Sequence, residues 1–118
     1  GCHIILRGGS AGPNYEAGYI KEACEKMEKS GLQPRIMIDC SHGNSLKVHT
    51  NQPKVAEEIC KLIAAGEKSI IGLMVESHLV EGKQKLDPGV TDLKTLKRGV
   101  SVTDACIDFE TTRKLLND

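Results

Sequence analysis

Four short stretches place reactive side chains directly after apolar runs. RIMIDCSHGNS, from Arg35 to Ser45, begins as a β-prone run and turns into Asp39, Cys40, Ser41 and His42. GLMVESH sets Glu76 and His78 behind a second run, and SVTDAC carries Asp104 and Cys106. Arg7 stands between CHIIL and the pair Gly8-Gly9. Imidazole and carboxylate together suit Mn²⁺, Fe²⁺, Co²⁺ or Zn²⁺, and mixed ligation does not select among them. His42, Glu76 and Asp104 are the candidate ligands of one such cation. Three protein ligands leave a position for water or a substrate oxygen. Each has a plainer alternative: a loop hydrogen bond for His42, a solvated or salt-bridged carboxylate for Glu76, a turn or cap for Asp104. A partly buried guanidinium at Arg7 calls for an anion, phosphate or carboxylate, with an ion pair to Asp39 as the rival. RGGSAG lacks the lysine and hydroxyl of a Walker loop.

The five cysteines, Cys2, Cys24, Cys40, Cys60 and Cys106, are scattered, odd in number and never form C-x-x-C. That argues against a disulfide scaffold or a structural zinc module and for reduced packing thiols in the cytoplasm. Alternation would set Cys40 on the strand face of Ile38 and His42, and Cys106 is a remote candidate for a fourth ligand. Sixteen basic residues balance sixteen acidic ones, and aromatics make up 3% of the chain. There is neither the basic footprint nor the stacking surface of a nucleic-acid binder. No apolar run approaches the roughly 20 residues of a membrane span, and no signal peptide opens the chain.

Something must carry these side chains, and the patterning supplies it. CHIILRGG, RIMID and SIIGLMVES read as strands. The stretch 15–31 reads as a helix, with Tyr15, Tyr19, Ala23 and Met27 at helical spacing and Gly31 as the stop. The stretch 52–66 reads as a second helix, with Pro53 near its start, a stripe of Val55, Ile59, Leu62 and Ile63, and Gly66 at its end. The polar stretch His78–Ser101 is too long for a plain connection, so it is functional or mobile. Its group Lys83, Lys85, Lys94, Lys97 and Arg98 reads as a solvated face. A last helix begins at an Asp108 cap. The order β-α-β-α-β-loop-α, with nearly apolar strands, predicts an α/β fold with a parallel sheet covered on both faces and ligands at the strand ends.

In order and spacing, ILRGG, MIDCSHGNS, GEKSIIGLMVESHLVEG and SVTDACIDFETT resemble the C-terminal part of class I 3-deoxy-D-arabino-heptulosonate 7-phosphate (DAHP) synthases of the aromatic-amino-acid-inhibited type. The resemblance covers nearly all of residues 1–118. It implies a (β/α)8 barrel of which this chain holds the last three β-α units. It implies condensation of phosphoenolpyruvate with erythrose 4-phosphate, the first step of the shikimate pathway. By the same resemblance, Arg7 binds phosphoenolpyruvate, His42, Glu76 and Asp104 are three of four metal ligands, and His42 and Asp39 are the catalytic candidates, Asp39 beside the site in a supporting role. The fourth family ligand, a cysteine of an early strand loop, is not in these residues. Lys83–Gly99 is longer than the family pattern. The expected partners are the two substrates, an N-terminal barrel portion and further copies in a homo-oligomer. The inward strand faces of Ile4, Leu6, Ile38, Ile71 and Leu73, or of their neighbours, are expected to lie bare, and the 118 residues alone to be inactive. The alternative is a non-catalytic metal- or phosphate-binding module or an assembly fragment.

Overall fold

The computed structural model describes residues 1–118 as two compact units, Gly1–Val75 and Glu76–Asp118. The first unit is a three-stranded parallel sheet with two helices, in the order β1 (Ile4–Leu6), α1 (Ala17–Lys29), β2 (Ile36–Asp39), α2 (Gln52–Ala64) and β3 (Ile70–Met74). Two short 3₁₀ turns, His42–Ser45 and His49–Asn51, lie between β2 and α2. The α/β reading therefore holds, with each strand shorter than its apolar run.

Both helices stop as their glycines require. Gly31 (φ 72°) and Gly66 (φ 106°) sit in the left-handed region just past the helix ends. The amides of Leu32 and Glu67 reach back to the carbonyls of Met27 and Leu62, and those of Gly31 and Gly66 to Glu28 and Ile63. These paired bonds satisfy carbonyls the helix would otherwise orphan. Proline fills the first turn of α2, where its missing N–H costs nothing.

Burial corrects the expected stripes. In α1 the inward residues are Ile20, Ala23 and Met27, whereas Tyr19 is half exposed. In α2 they are Gln52, Val55, Ala56 and Ile59, and Ile63 faces out. The helices rotate to seat compact aliphatic groups on the sheet. Each isoleucine so buried contributes about 1.5–3 kcal/mol.

The sheet is covered on one face only. Strand order follows chain order, so crossovers of one hand place both helices on the same side. Ile36, Ile38 and Cys40 are fully buried there. The register aligns Ile4 with Ile36, Leu6 with Ile38, and Ile38 with Leu73. Ile38 is thus in the core, not on the bare side. The exposed strand residues are Ile5 (51%) and Ile71 (52%). A register shift between Ile36 and Met37 inserts Ile71 between the partners Ile70 and Gly72, which simple alternation does not foresee.

In the second unit, the long polar stretch expected to be functional or mobile is pinned by backbone bonds. Val80 donates to the Gly99 carbonyl and Gln84 to Ser101. Gly82 and Cys106 pair antiparallel, and Ser77 pairs with Ile107 in parallel. One 3₁₀ turn, Leu93–Thr95, interrupts it, and the grouped lysines and Arg98 are exposed. Helix α3 (Phe109–Asn117) starts as expected, with the Asp108 carboxylate accepting from the Thr111 amide at 2.8 Å. That bond holds the carboxyl below its ordinary range. No helix is long and apolar enough to cross a membrane.

Candidate functional site

The β2 tip is built around a buried carboxylate. Asp39, 4% exposed, ends the strand. One oxygen accepts from the Ser41 amide at 2.8 Å, and the other meets His42 Nδ1 at 2.8 Å. The chain then leaves extended geometry: His42 has φ 41°, and Leu46 and Lys47 also lie in the left-handed region. Three non-glycine residues there within six positions mark a loop whose shape is held against local preference. This turn ends the alternation, so Cys40 and His42 do not share a face. Cys40 is buried with the helices, its thiol pushed up to about 12 by desolvation, with Asp39 and Cys60 adding to the effect. It is a packing residue.

With Nδ1 engaged by Asp39, a cation would bond His42 at Nε2. A carboxylate behind a histidine in this way fixes the tautomer and the ring orientation and raises the basicity of the ligating nitrogen. His42 is half-buried.

Arg7 follows β1 and is exposed, not partly buried as expected. The rival ion pair with Asp39 does not form; the Asp39 oxygens meet Ser41 and His42 instead. The arginine is available to an anion from solvent.

Residue spacing gave no cue to the part played by Asn44 and Asn14. Asn44, 3% exposed, donates to the carbonyls of Leu6 at 3.0 Å and Asp39 at 2.9 Å. Its Oδ1 accepts from the Asn14 amide at 2.8 Å, and Asn14 Oδ1 accepts from Gly8 at 2.7 Å. The only sequence signal is that both are Asn, a residue able to give and take hydrogen bonds at once.

Glu76 begins the second unit, two residues beyond Met74, the register partner of Asp39. Within that unit the Ile107 amide donates to the Glu76 carbonyl at 3.0 Å, and His78 donates to Ile107 at 2.9 Å. These bonds, with the Gly82–Cys106 pair, hold the segment after Asp104 beside the segment after Glu76. The two side chains accordingly offer carboxylate oxygens within 4.8 Å of each other. Two acids this close are stabilised by a shared cation, and hard oxygen donors suit a divalent one. Glu76 is half-buried and Asp104 exposed. Cys106 is buried, its thiol raised chiefly by desolvation, and its Sγ lies 3.6 Å from the Asp104 carbonyl. A thiol so placed is a poor thiolate ligand.

The sequence as a whole decides the family. Residues 1–117 match the model of the DAHP synthetase I family. The chain belongs to the DAHP synthetase I family. It is 55% identical over 117 residues to the tyrosine-inhibited phospho-2-dehydro-3-deoxyheptonate aldolase of Schizosaccharomyces pombe, covering 98% of this chain and 31% of that protein. It is 52% identical over 115 residues to the Phe-sensitive phospho-2-dehydro-3-deoxyheptonate aldolase of Escherichia coli K12, with the same coverage of each. Among solved structures, the phospho-2-dehydro-3-deoxyheptonate aldolase of Francisella tularensis SCHU S4 matches with a TM-score of 0.89 and 43% identity, over 98% of this chain and 32% of that one. The chain thus spans about a third of the length of these relatives.

Proposed function

We propose that these residues form part of the active site of a DAHP synthase, which joins phosphoenolpyruvate to erythrose 4-phosphate and releases phosphate. The carrying observations are the Asp39–His42 pair at the tip of β2 in the first unit and the Glu76–Asp104 carboxylate pair within the second. In this reading His42, Glu76 and Asp104 hold one divalent cation. When bound, that ion would polarise the aldehyde of erythrose 4-phosphate and offset developing negative charge. Asp39 orients His42. Arg7 holds the anionic phosphoenolpyruvate and neutralises part of its charge. Carbon three of phosphoenolpyruvate then bonds to the aldehyde carbon. Water adds at carbon two, giving up a proton as the former aldehyde oxygen takes one to become a hydroxyl, and inorganic phosphate leaves from the resulting hemiketal as carbon two becomes a ketone.

We extend the reading to architecture. The three parallel strands, their chain-order arrangement and the helices on one face fit three successive units of a (β/α)8 barrel, with the bare Ile5–Ile71 face turned to its interior. Further β-α units and a homo-oligomer belong to the same proposal. A cytoplasmic setting agrees with five free cysteines.

The test joins this chain to the upstream part of the S. pombe relative and measures phosphate release that requires both sugar and enol substrates with Mn²⁺. Release by the joined protein, abolished by a chelator and by His42→Ala or Glu76→Ala, is the expected result, with none from the 118 residues alone. Near-normal release by both variants would remove the ligand assignment.

A further inference from the structure

We propose that Asn14 and Asn44 form a clasp that makes the β1-tip loop bearing Arg7 and the β2-tip loop bearing His42 a single mechanical unit. The two asparagines are positioning residues for both groups. This rests on the functional reading above for what the loops bind, but the clasp itself is a matter of geometry within the first unit.

The loops join side by side through both backbone and side chain. The Asn44 amide donates to the Arg7 carbonyl at 3.0 Å, the next peptide after the guanidinium-bearing residue being Gly8. Asn44 Nδ2 spans the two strand ends, bonding Leu6 on one and Asp39 on the other. Its Oδ1 takes the Asn14 amide, and Asn14 returns a bond to Gly8. Gly8 therefore has its neighbours fixed on both sides. The backbones touch: a Cβ on Gly8 would lie 2.4 Å from the Gly43 carbonyl carbon, and one on Gly43 would lie 2.9 Å from that of Gly8. No side chain fits between Arg7–Gly8 and His42–Asn44.

The consequence is shared placement. Arg7 itself is exposed, and its carbonyl and the following amide are the anchored atoms. Its base is set by the same asparagine that sets the carbonyl of Asp39, whose carboxylate orients His42. A disturbance at one tip is transmitted to the other through one buried amide. A network in which every member is satisfied behaves as a unit.

Asn14→Ala removes only the acceptor for Gly8 and leaves Asn44 in place. Amide hydrogen exchange in the unsubstituted chain and in Asn14→Ala reads the clasp without any ligand. Faster exchange is expected at Gly8 and also at Asn44 and Ser45, with Ile38 and Cys40 unchanged. Faster exchange confined to Gly8 would overturn the proposal. In the joined protein described above, Asn14→Ala is expected to weaken phosphoenolpyruvate binding about tenfold, the scale of one lost supporting hydrogen bond. It should have no further effect once Arg7 is alanine. Equal weakening with and without Arg7 would also overturn the clasp's role. Absence of phosphoenolpyruvate binding by the unsubstituted joined protein would instead overturn the functional reading, and the exchange result would still decide the clasp. Asn14→Asp keeps an acceptor for Gly8 and is expected to restore both readouts, whereas Asn14→Leu, which keeps the bulk but offers no acceptor, is not.

Discussion

Asp39 is buried where few carboxylates are, and the reason is visible in its two partners. A buried anion is tolerated when each oxygen is engaged, here by the Ser41 amide and the His42 ring. Asp39→Asn keeps the shape but removes the charge behind Nδ1. Mn²⁺ affinity measured by calorimetry is expected to fall about 10–100-fold, with the thermal midpoint changing little by comparison. Unchanged affinity would mean that His42 needs no buttress. Cys40 illustrates the opposite treatment of a reactive group. Its thiol ionises near 12 in the folded chain against 9.0 for a free thiol. Below pH 9 both states are protonated and the native state keeps its full advantage. Between pH 9 and about 12 only the unfolded thiol loses its proton, so stability falls across that window. Cys40→Ala is expected to flatten that alkaline decline in urea melts. At pH 8, iodoacetamide should label exposed Cys2 and Cys60 and spare Cys40. The residue types at the strand tips were enough to nominate Arg7, Asp39, His42, Glu76 and Asp104. The clasp was not readable, because the use of an asparagine depends on which carbonyls lie around it.

At the scale of elements, local rules located the helices and strands well. Glycines at 31 and 66, the proline of α2 and the Asp108 cap each act through backbone geometry that a sequence states directly. Faces were harder. Tyr19 and Ile20 both fit the α1 period, and only packing against the sheet chose Ile20. The bare face was foreseen at Ile71 but not at Ile5, and the shift between Ile36 and Met37 breaks the simple alternation along β3. The stretch 78–101 looked like a loop because its fixings, Val80 to Gly99 and Gly82 to Cys106, pair residues about 20 apart with no periodic pattern. Two glycines test how far the backbone, and not composition, sets these elements. Gly8 has φ 81° and no room for a Cβ, so Gly8→Ala should cost more than about 2 kcal/mol in urea unfolding, from strain plus collision with Gly43. Gly18 lies in α1, where a Cβ would meet nothing within 4 Å, and should gain about 0.5 kcal/mol as alanine. Equal effects at the two positions would contradict the close approach of the strand tips.

For the whole molecule, the governing fact is a sheet finished on one face and bare on the other. Ile5 and Ile71 are each about half exposed on strands whose other side holds fully buried isoleucines. Apolar strand residues left uncovered drive association. Sedimentation velocity of the chain should show concentration-dependent association that the double substitution Ile5→Lys, Ile71→Lys suppresses. Association unchanged by that pair would place the contact elsewhere. The chain covers about a third of its relatives' length while matching them over 98% of its own.

The chemistry proposed for these residues turns on one cation shared by His42, Glu76 and Asp104. An anomalous difference map from crystals soaked in Mn²⁺ tests it most directly. One strong peak within bonding distance of His42 Nε2 and of a carboxylate oxygen from each acid is the predicted result. A peak bound elsewhere, or none beside these three side chains, would contradict it.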